Sequence, residues 1–204
     1  GVALVEMLNI LETLGIEKLS PQSAEAKHLQ IEAMRRAFLD RARYLGDPDF
    51  SDIPVEKLTS KAHAREVAAS IRRDKASDSL ELGKDIVTTA PDHESPETTH
   101  FSVLDRAGMA VAMTTTLEGS YGSRVVAKGL GFLLNNEMGD FNKKPGDTTR
   151  GGDIGTPANL IAPGKRMLSS MTPAIVARDG KLVLVTGSPG GRTIINPVMG
   201  IVLN

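Results

Sequence analysis

The pattern of apolar residues changes abruptly at residue 98, and that change limits the folds open to this chain. Before it, apolar side chains recur with the period of a helix; after it, they fall into short runs separated by turn residues. Residues 88–97 in between are polar, hold two prolines and show no periodicity, the pattern of an exposed, poorly ordered connection.

Residues 2–14 place Leu4, Leu8 and Leu11 on one helical face, with Gly15 as the C-terminal cap. A second helix is expected to open at Ser20-Pro21, burying Ala24, Ile31, Met34, Phe38 and Ala42 and leaving Arg35, Arg36, Asp40 and Arg43 wet. Gly46-Asp47-Pro48 ends it, and a shorter helix spans about residues 60–73. Beyond residue 98, strands 99–104 and 109–117 flank the turn Asp105-Arg106-Ala107-Gly108. The second is apolar on both faces through Met113, as in a strand covered on both sides. Residues 131–134 form another candidate strand. Strands 174–178 and 181–186 surround Asp179-Gly180, a strong two-residue hairpin signal, and helix resumes near Thr193. Helices, a connection, strands and a final helix predict an α+β fold in which helices cover a sheet.

Composition removes several functions. A net charge of -1 offers no electrostatic attraction to nucleic acid, and no apolar run reaches the roughly 18 residues of a membrane span. The absence of cysteine excludes disulfides, thiolate metal sites and a cysteine nucleophile. With 3% aromatic residues and no Trp, there is no stacking platform for single strands or sugars. His28, His63, His93 and His100 show no ligand spacing, so neither a metal nor any other cofactor is expected. The chain starts at Gly1 inside a helical pattern and stops at Asn204 inside an apolar segment, which reads as two cut ends.

Three places can carry chemistry. The first is Glu97-Thr98, where the polar connection runs into the mouth of a strand. Attack by the Thr98 hydroxyl on the Glu97 carbonyl forms an ester that water hydrolyses. The freed α-amine, which titrates at roughly pH 8, can then serve as base for its own hydroxyl. Equally, Thr-Thr is an ordinary start for a strand. The second is Gly187-Ser188-Pro189-Gly190-Gly191, between a strand and a helix, where paired backbone N–H groups can form an oxyanion hole or simply a glycine-rich turn. The third joins Ser169-Ser170 to Glu118, Glu137 and Asp140. Adjacent hydroxyls suit a carboxylate and clustered acids an ammonium, the two ends of an amino acid; each taken alone is an unremarkable loop.

The runs 98–103 (Thr-Thr-His-Phe-Ser-Val), 133–138 with Asp140-Phe141, 163–171 and 187–191 together resemble the γ-glutamyltransferase (γ-glutamyltranspeptidase) family of N-terminal-nucleophile hydrolases. They occur in the family's order and at similar separations. The likeness is close over residues 98–204 and looser over 1–97. It implies a four-layer αββα fold, incomplete here, and self-cleavage between Glu97 and Thr98 into a large subunit ending with 1–97 and a small subunit starting with 98–204. It also implies transfer of a γ-glutamyl group from glutathione-like donors to water, amino acids or peptides. By position, Thr98 is the nucleophile and Thr116 lies where the family hydrogen-bonds that hydroxyl. Ser169 and Ser170 hold the donor carboxylate, Glu137 and Asp140 its amine, and Gly190 and Gly191 supply the oxyanion hole. The family is often periplasmic, secreted or surface-anchored. Glu118 stands where better-known members have Asn, and residues 145–157, aligned with a lid loop, contain no Tyr. The family's carboxylate-clamping arginine aligns before Gly1. Two further readings accompany this one: a glutaryl- or cephalosporin-type acylase, and a non-catalytic homologue.

Overall fold

A computed structural model of the chain describes residues 1–86, 97–142, 145–146, 148 and 155–204. Most of the 88–97 connection therefore lies outside the described residues. Packing divides the chain into two compact units, Gly1–Pro91 with Asn142–Arg166, and Asp92–Phe141 with Met167–Asn204.

The first unit is helical: α1 (Val2–Thr13), α2 (Ala24–Tyr44), α3 (Val55–Leu58), α4 (Lys61–Ala69) and α5 (Ser79–Leu82). Among the described residues no helix is long and apolar enough to cross a membrane. Helix α1 buries Ala3, Leu4, Met7, Ile10 and Leu11, the i, i+3, i+4 stripe of a core-facing helix, with Leu8 half-buried beside it. Gly15 follows in the left-handed conformation with φ 74°, as expected of the residue that ends a helix.

Helix α2 differs from the sequence expectation at both its start and its buried face. Its cap is Ser23, whose hydroxyl accepts from Ala26 N, so Ser20-Pro21 precedes the helix. The buried face carries Ala26, Leu29, Glu32, Ala33, Arg36 and Ala37; Ile31 is 48% exposed, and of the predicted stripe only Ala42 is buried. The reason is polar. Glu32 and Arg36 pair one turn apart at 2.7 Å, and Ser77 closes over them, donating from N at 3.0 Å and from Oγ at 2.5 Å to the Glu32 carboxylate. Arg36 also donates to Ser70 Oγ and Ser70 O, so its charge is buried with partners. Burial opposes ionisation of Glu32, but the Ser77 and Arg36 hydrogen bonds outweigh it and hold its carboxyl below the ordinary range.

The segment 142–166 belongs to the same unit. Asn142 bridges to Leu160, Asn159 donates to the Asn142 side chain, and Thr156 hydrogen-bonds the Ala42 carbonyl. A side chain at Gly46 would meet the Ala158 carbonyl at 2.1 Å, so the close approach requires glycine. Arg166 grips Asp47 from N, Nε and Nη2 at 2.8, 3.1 and 2.6 Å. Those hydrogen bonds hold the Asp47 carboxyl well below the usual carboxylate range. A depressed folded pKa stabilises the fold above the unfolded value, near pH 4, and that contribution is lost as pH falls through the folded value. Asp47→Asn should therefore lower the thermal midpoint at pH 7, and the gap to the wild type should close only well below about pH 4. Melts recorded across that range check it; a gap independent of pH would refute the ion pair.

The second unit is built on two antiparallel hairpins. Strands β1 (Thr99–Leu104) and β2 (Ala110–Thr115) pair with Thr99 opposite Thr115 and Leu104 opposite Ala110. Asp105 Oδ1 caps their turn by accepting from Ala107 N and Met109 N at 2.8 Å. Strands β3 (Ala174–Arg178) and β4 (Lys181–Thr186) pair around Asp179 and Gly180, with φ 51° and 73°, as the two-residue turn requires. After β4, a 3₁₀ turn at Gly191–Thr193 leads into α6 (Ile195–Leu203), which packs on β4 and buries Ile195, Val198 and Met199. Two expectations fail here. Residues 131–134 make only one bridge, Leu133 to Val126, because Gly129 and Gly131 take positive φ and break the extended run. Val111 and Met113 on β2 are 45% and 46% exposed, so among the described residues β2 is not covered on both faces. The α+β class itself is what the structure has.

Candidate active site

The Glu97–Thr98 peptide lies where the chain enters β1, and the last β1–β2 pair, Thr99 with Thr115, brings Thr116 beside it. Two hydroxyls converge on one carbonyl: Thr98 Oγ1 donates to Glu97 O at 2.5 Å, and Thr116 Oγ1 donates to the same oxygen at 2.8 Å. Thr116 is itself held, since its Oγ1 accepts from Glu118 N at 2.9 Å. The family resemblance implies a hydrogen bond between Thr116 and the Thr98 hydroxyl; in the continuous chain Thr116 donates to the Glu97 carbonyl beside it. An open cleft of about 260 Å³ lies here, lined by Glu97, Thr98, Thr116, Leu117, Gly119 and Ser120 among others.

Beyond Thr116 the backbone turns sharply. Glu118 has φ 69°, an unfavourable conformation for a residue with a Cβ, of the kind that clusters at functional sites. The turn lays its carboxylate on Gly139, where a side chain would meet Glu118 Oε1 at 2.0 Å. Gly139 belongs to the 3₁₀ turn Glu137–Asp140, so Glu118, Glu137 and Asp140 form one acidic cluster. Glu137 is buried, and its Oε1 has no hydrogen-bond partner. Burial first, then the charges of Asp140 and Glu118, raise its pKa above the ordinary carboxylate value. Such a cluster attracts a cation, and an ammonium offers donors as well as charge.

The glycine loop after β4 is tied to β1 through His100. Its Nδ1 lies 2.8 Å from Thr114 Oγ1, and a Cβ at Gly187 would lie 2.2 Å from that same nitrogen. Only glycine lets the loop pack against this imidazole. Gly190 and Gly191 follow with φ 128° and 55°, and Gly190 O accepts from Thr193 N and Oγ1 at 3.2 and 2.7 Å. Ser169 Oγ accepts from Met171 N at 3.1 Å and Ser170 O from Thr172 Oγ1 at 2.9 Å, so both serines sit in a locally braced loop. Sequence reasoning missed His100 and the strain at Glu118. A histidine two residues into a strand signals nothing until its neighbour across the sheet is known.

The sequence profile of the gamma-glutamyltranspeptidase family matches residues 1–204, the whole chain. The chain belongs to the gamma-glutamyltranspeptidase family. It is 48% identical over 206 residues to a glutathione hydrolase proenzyme of Escherichia coli strain K12, covering 100% of this chain and 35% of that protein. It is 36% identical over 204 residues to an acylase ACY 1 proenzyme of Pseudomonas sp. strain V22, covering 100% of this chain and 34% of the acylase. The chain thus spans about a third of the length of these relatives. In fold it is similar to a cephalosporin acylase of Bacillus halodurans, with TM-score 0.72 at 21% identity, over 100% of this chain and 33% of that one. Of the family's lid-aligned stretch, only 145–146, 148 and 155–157 fall among the described residues. The packing units run across the Glu97–Thr98 junction, so a gamma-glutamyltranspeptidase cut there would separate chain segments that share a unit.

Proposed function

We propose that this chain carries the nucleophile and donor site of a self-processing γ-glutamyl transferase and hydrolase. What supports the reading most directly is the meeting of the Thr98 and Thr116 hydroxyls on the Glu97 carbonyl. Thr116 polarises that carbonyl, and Thr98 Oγ1 attacks its carbon. The C–N bond to Thr98 breaks, its nitrogen takes the proton, and an ester joins Glu97 to the Thr98 oxygen. Water then hydrolyses the ester, leaving a Glu97 carboxylate and a Thr98 with free α-amine and hydroxyl.

In turnover the α-amine takes the hydroxyl proton while the oxygen attacks the γ-carbonyl of the donor. The Gly190 and Gly191 N–H groups receive the developing oxyanion, and the proton passes to the departing amine. Water or an amino acid then releases the γ-glutamyl group from Thr98. Ser169 and Ser170 take the donor carboxylate; Glu137, Asp140 and Glu118 take its ammonium. On this reading glutathione and related γ-glutamyl compounds are the donors, amino acids or peptides the acceptors, and residues 1–97 and 98–204 end in separate subunits.

The acylase relatives favour a second reading, in which the same nucleophile acts on a glutaryl amide lacking the amine. Donor preference separates the two. The γ-glutamyl anilide should be cleaved roughly 100-fold faster than the glutaryl anilide, since the latter leaves Glu137 unpaired. Glu137→Gln should raise KM for the γ-glutamyl anilide by roughly tenfold or more and leave the glutaryl rate unchanged. Equal or better cleavage of the glutaryl compound by the wild type would select the acylase.

A further inference from the structure

We propose that Glu6, Asp40 and His63, on α1, α2 and α4 of the helical unit, form a binding site for a zinc-class divalent metal ion. Their donor atoms all lie within 4.8 Å of one another. His63 Nε2 is 2.9 Å from Asp40 Oδ2 and 3.4 Å from Glu6 Oε1. Bonds of roughly 2.0–2.1 Å to a tetrahedral ion require ligand atoms roughly 3.4 Å apart, so this triangle needs only small adjustment to become three corners of that tetrahedron.

The second observation is an orphan. The Glu6 side chain is 1% exposed, and its Oε1, the atom facing His63, has no hydrogen-bond partner. Burial, then the Asp40 charge and a side-chain hydrogen bond with Asp40, push the Glu6 pKa up to about 8. The metal-free acid thus holds a proton that a bound ion would replace, while its Oε1 stays dry and unpaired. Among the described residues, the ion-pair contacts of Glu6 and Asp40 are with His63; no lysine or arginine reaches either. Two carboxylates, once both are ionised, and an imidazole match the charge of a divalent cation, and the nitrogen donor selects zinc or cobalt over calcium or magnesium. The side chains of His63 and Asp40 keep 11% and 13% exposure, which gives an ion a way in and leaves room for water as fourth ligand.

With Nε2 on the ion, the His63 proton sits on Nδ1, which is buried without an acceptor. A site lacking that outer partner should bind roughly 10–100-fold more weakly than one possessing it. The ion's role here is to clamp three helices of the helical unit together.

Titration of the metal-stripped complete protein with Co²⁺ tests this, because tetrahedral cobalt absorbs visibly where the hydrated ion barely does. The expected result is one equivalent bound with that spectrum, displaced by Zn²⁺, and a higher thermal midpoint with either metal. Glu6→Gln and Asp40→Asn, which keep side-chain shape, should each lose the spectrum and the thermal shift while keeping the wild-type far-ultraviolet circular dichroism. Binding of less than about a tenth of an equivalent, or an unchanged spectrum in both variants, overturns the proposal. Glutathione hydrolysis plays no part in the readout, so failure here leaves the catalytic reading untouched, and the reverse.

Discussion

Thr98→Ala in the complete protein should leave the Glu97–Thr98 bond whole after long incubation and reduce γ-glutamyl release by roughly four orders of magnitude or more. The size of the effect follows from one atom serving twice. On the proposed mechanism the side-chain oxygen first breaks the chain and then carries the γ-glutamyl group, so its removal should stop processing and turnover together. Mass spectrometry should find a new N-terminus at Thr98 in the wild type and none in the variant. Thr98→Ser keeps an oxygen in place and should still process, which separates loss of the nucleophile from loss of the fold. Thr116→Val tests the second hydroxyl on the Glu97 carbonyl. It should slow scission without blocking it, since a polarising donor is removed and the nucleophile remains. Scission at the wild-type rate in Thr98→Ala would end the proposal.

The second large effect is on stability. Glu32→Ala should destabilise the helical unit by about 3–5 kcal/mol, because it strands the Arg36 guanidinium without its counter-charge. Arg36 has only 7% side-chain exposure, so water cannot replace the lost carboxylate. The same substitution removes the acceptor of Ser77 N and Oγ, loosening the segment that closes over α2. Urea unfolding checks the magnitude. The double variant Glu32→Leu with Arg36→Leu should recover part of the loss, since two apolar side chains remove the unpaired charge. A double variant worse than the sum of the two singles would show that packing, not charge, makes this position sensitive.

Where the sequence reading succeeded, its signals were local. Gly15 ends α1, Asp105 and Gly108 turn the first hairpin, and Asp179-Gly180 turns the second. Each depends on backbone conformations or hydrogen bonds spanning a few residues, which the residue types at those positions already specify. The buried face of α2 was misjudged for the opposite reason. Ranking Ile31 above Arg36 follows hydrophobicity, but Ser70 and Ser77, far along the chain, supply the hydrogen bonds that make burial of Arg36 favourable. The acidic residues at 118, 137 and 140 were legible as a set. The positive φ that folds Glu118 onto Gly139 was not, because it belongs to the turn rather than to any residue preference.

By itself, then, the chain's order of residues determined the helix-to-strand change at residue 98, the hairpins, and the set of serines and acids proposed to hold an amino-acid zwitterion. Periodicity, turn chemistry and charge act over short range and survive in a linear text. Only the tertiary structure decided that two threonines share the Glu97 carbonyl, that His100 lies against Gly187, and that Glu6, Asp40 and His63 meet. Those are contacts between distant segments, set by how strands register and helices pack.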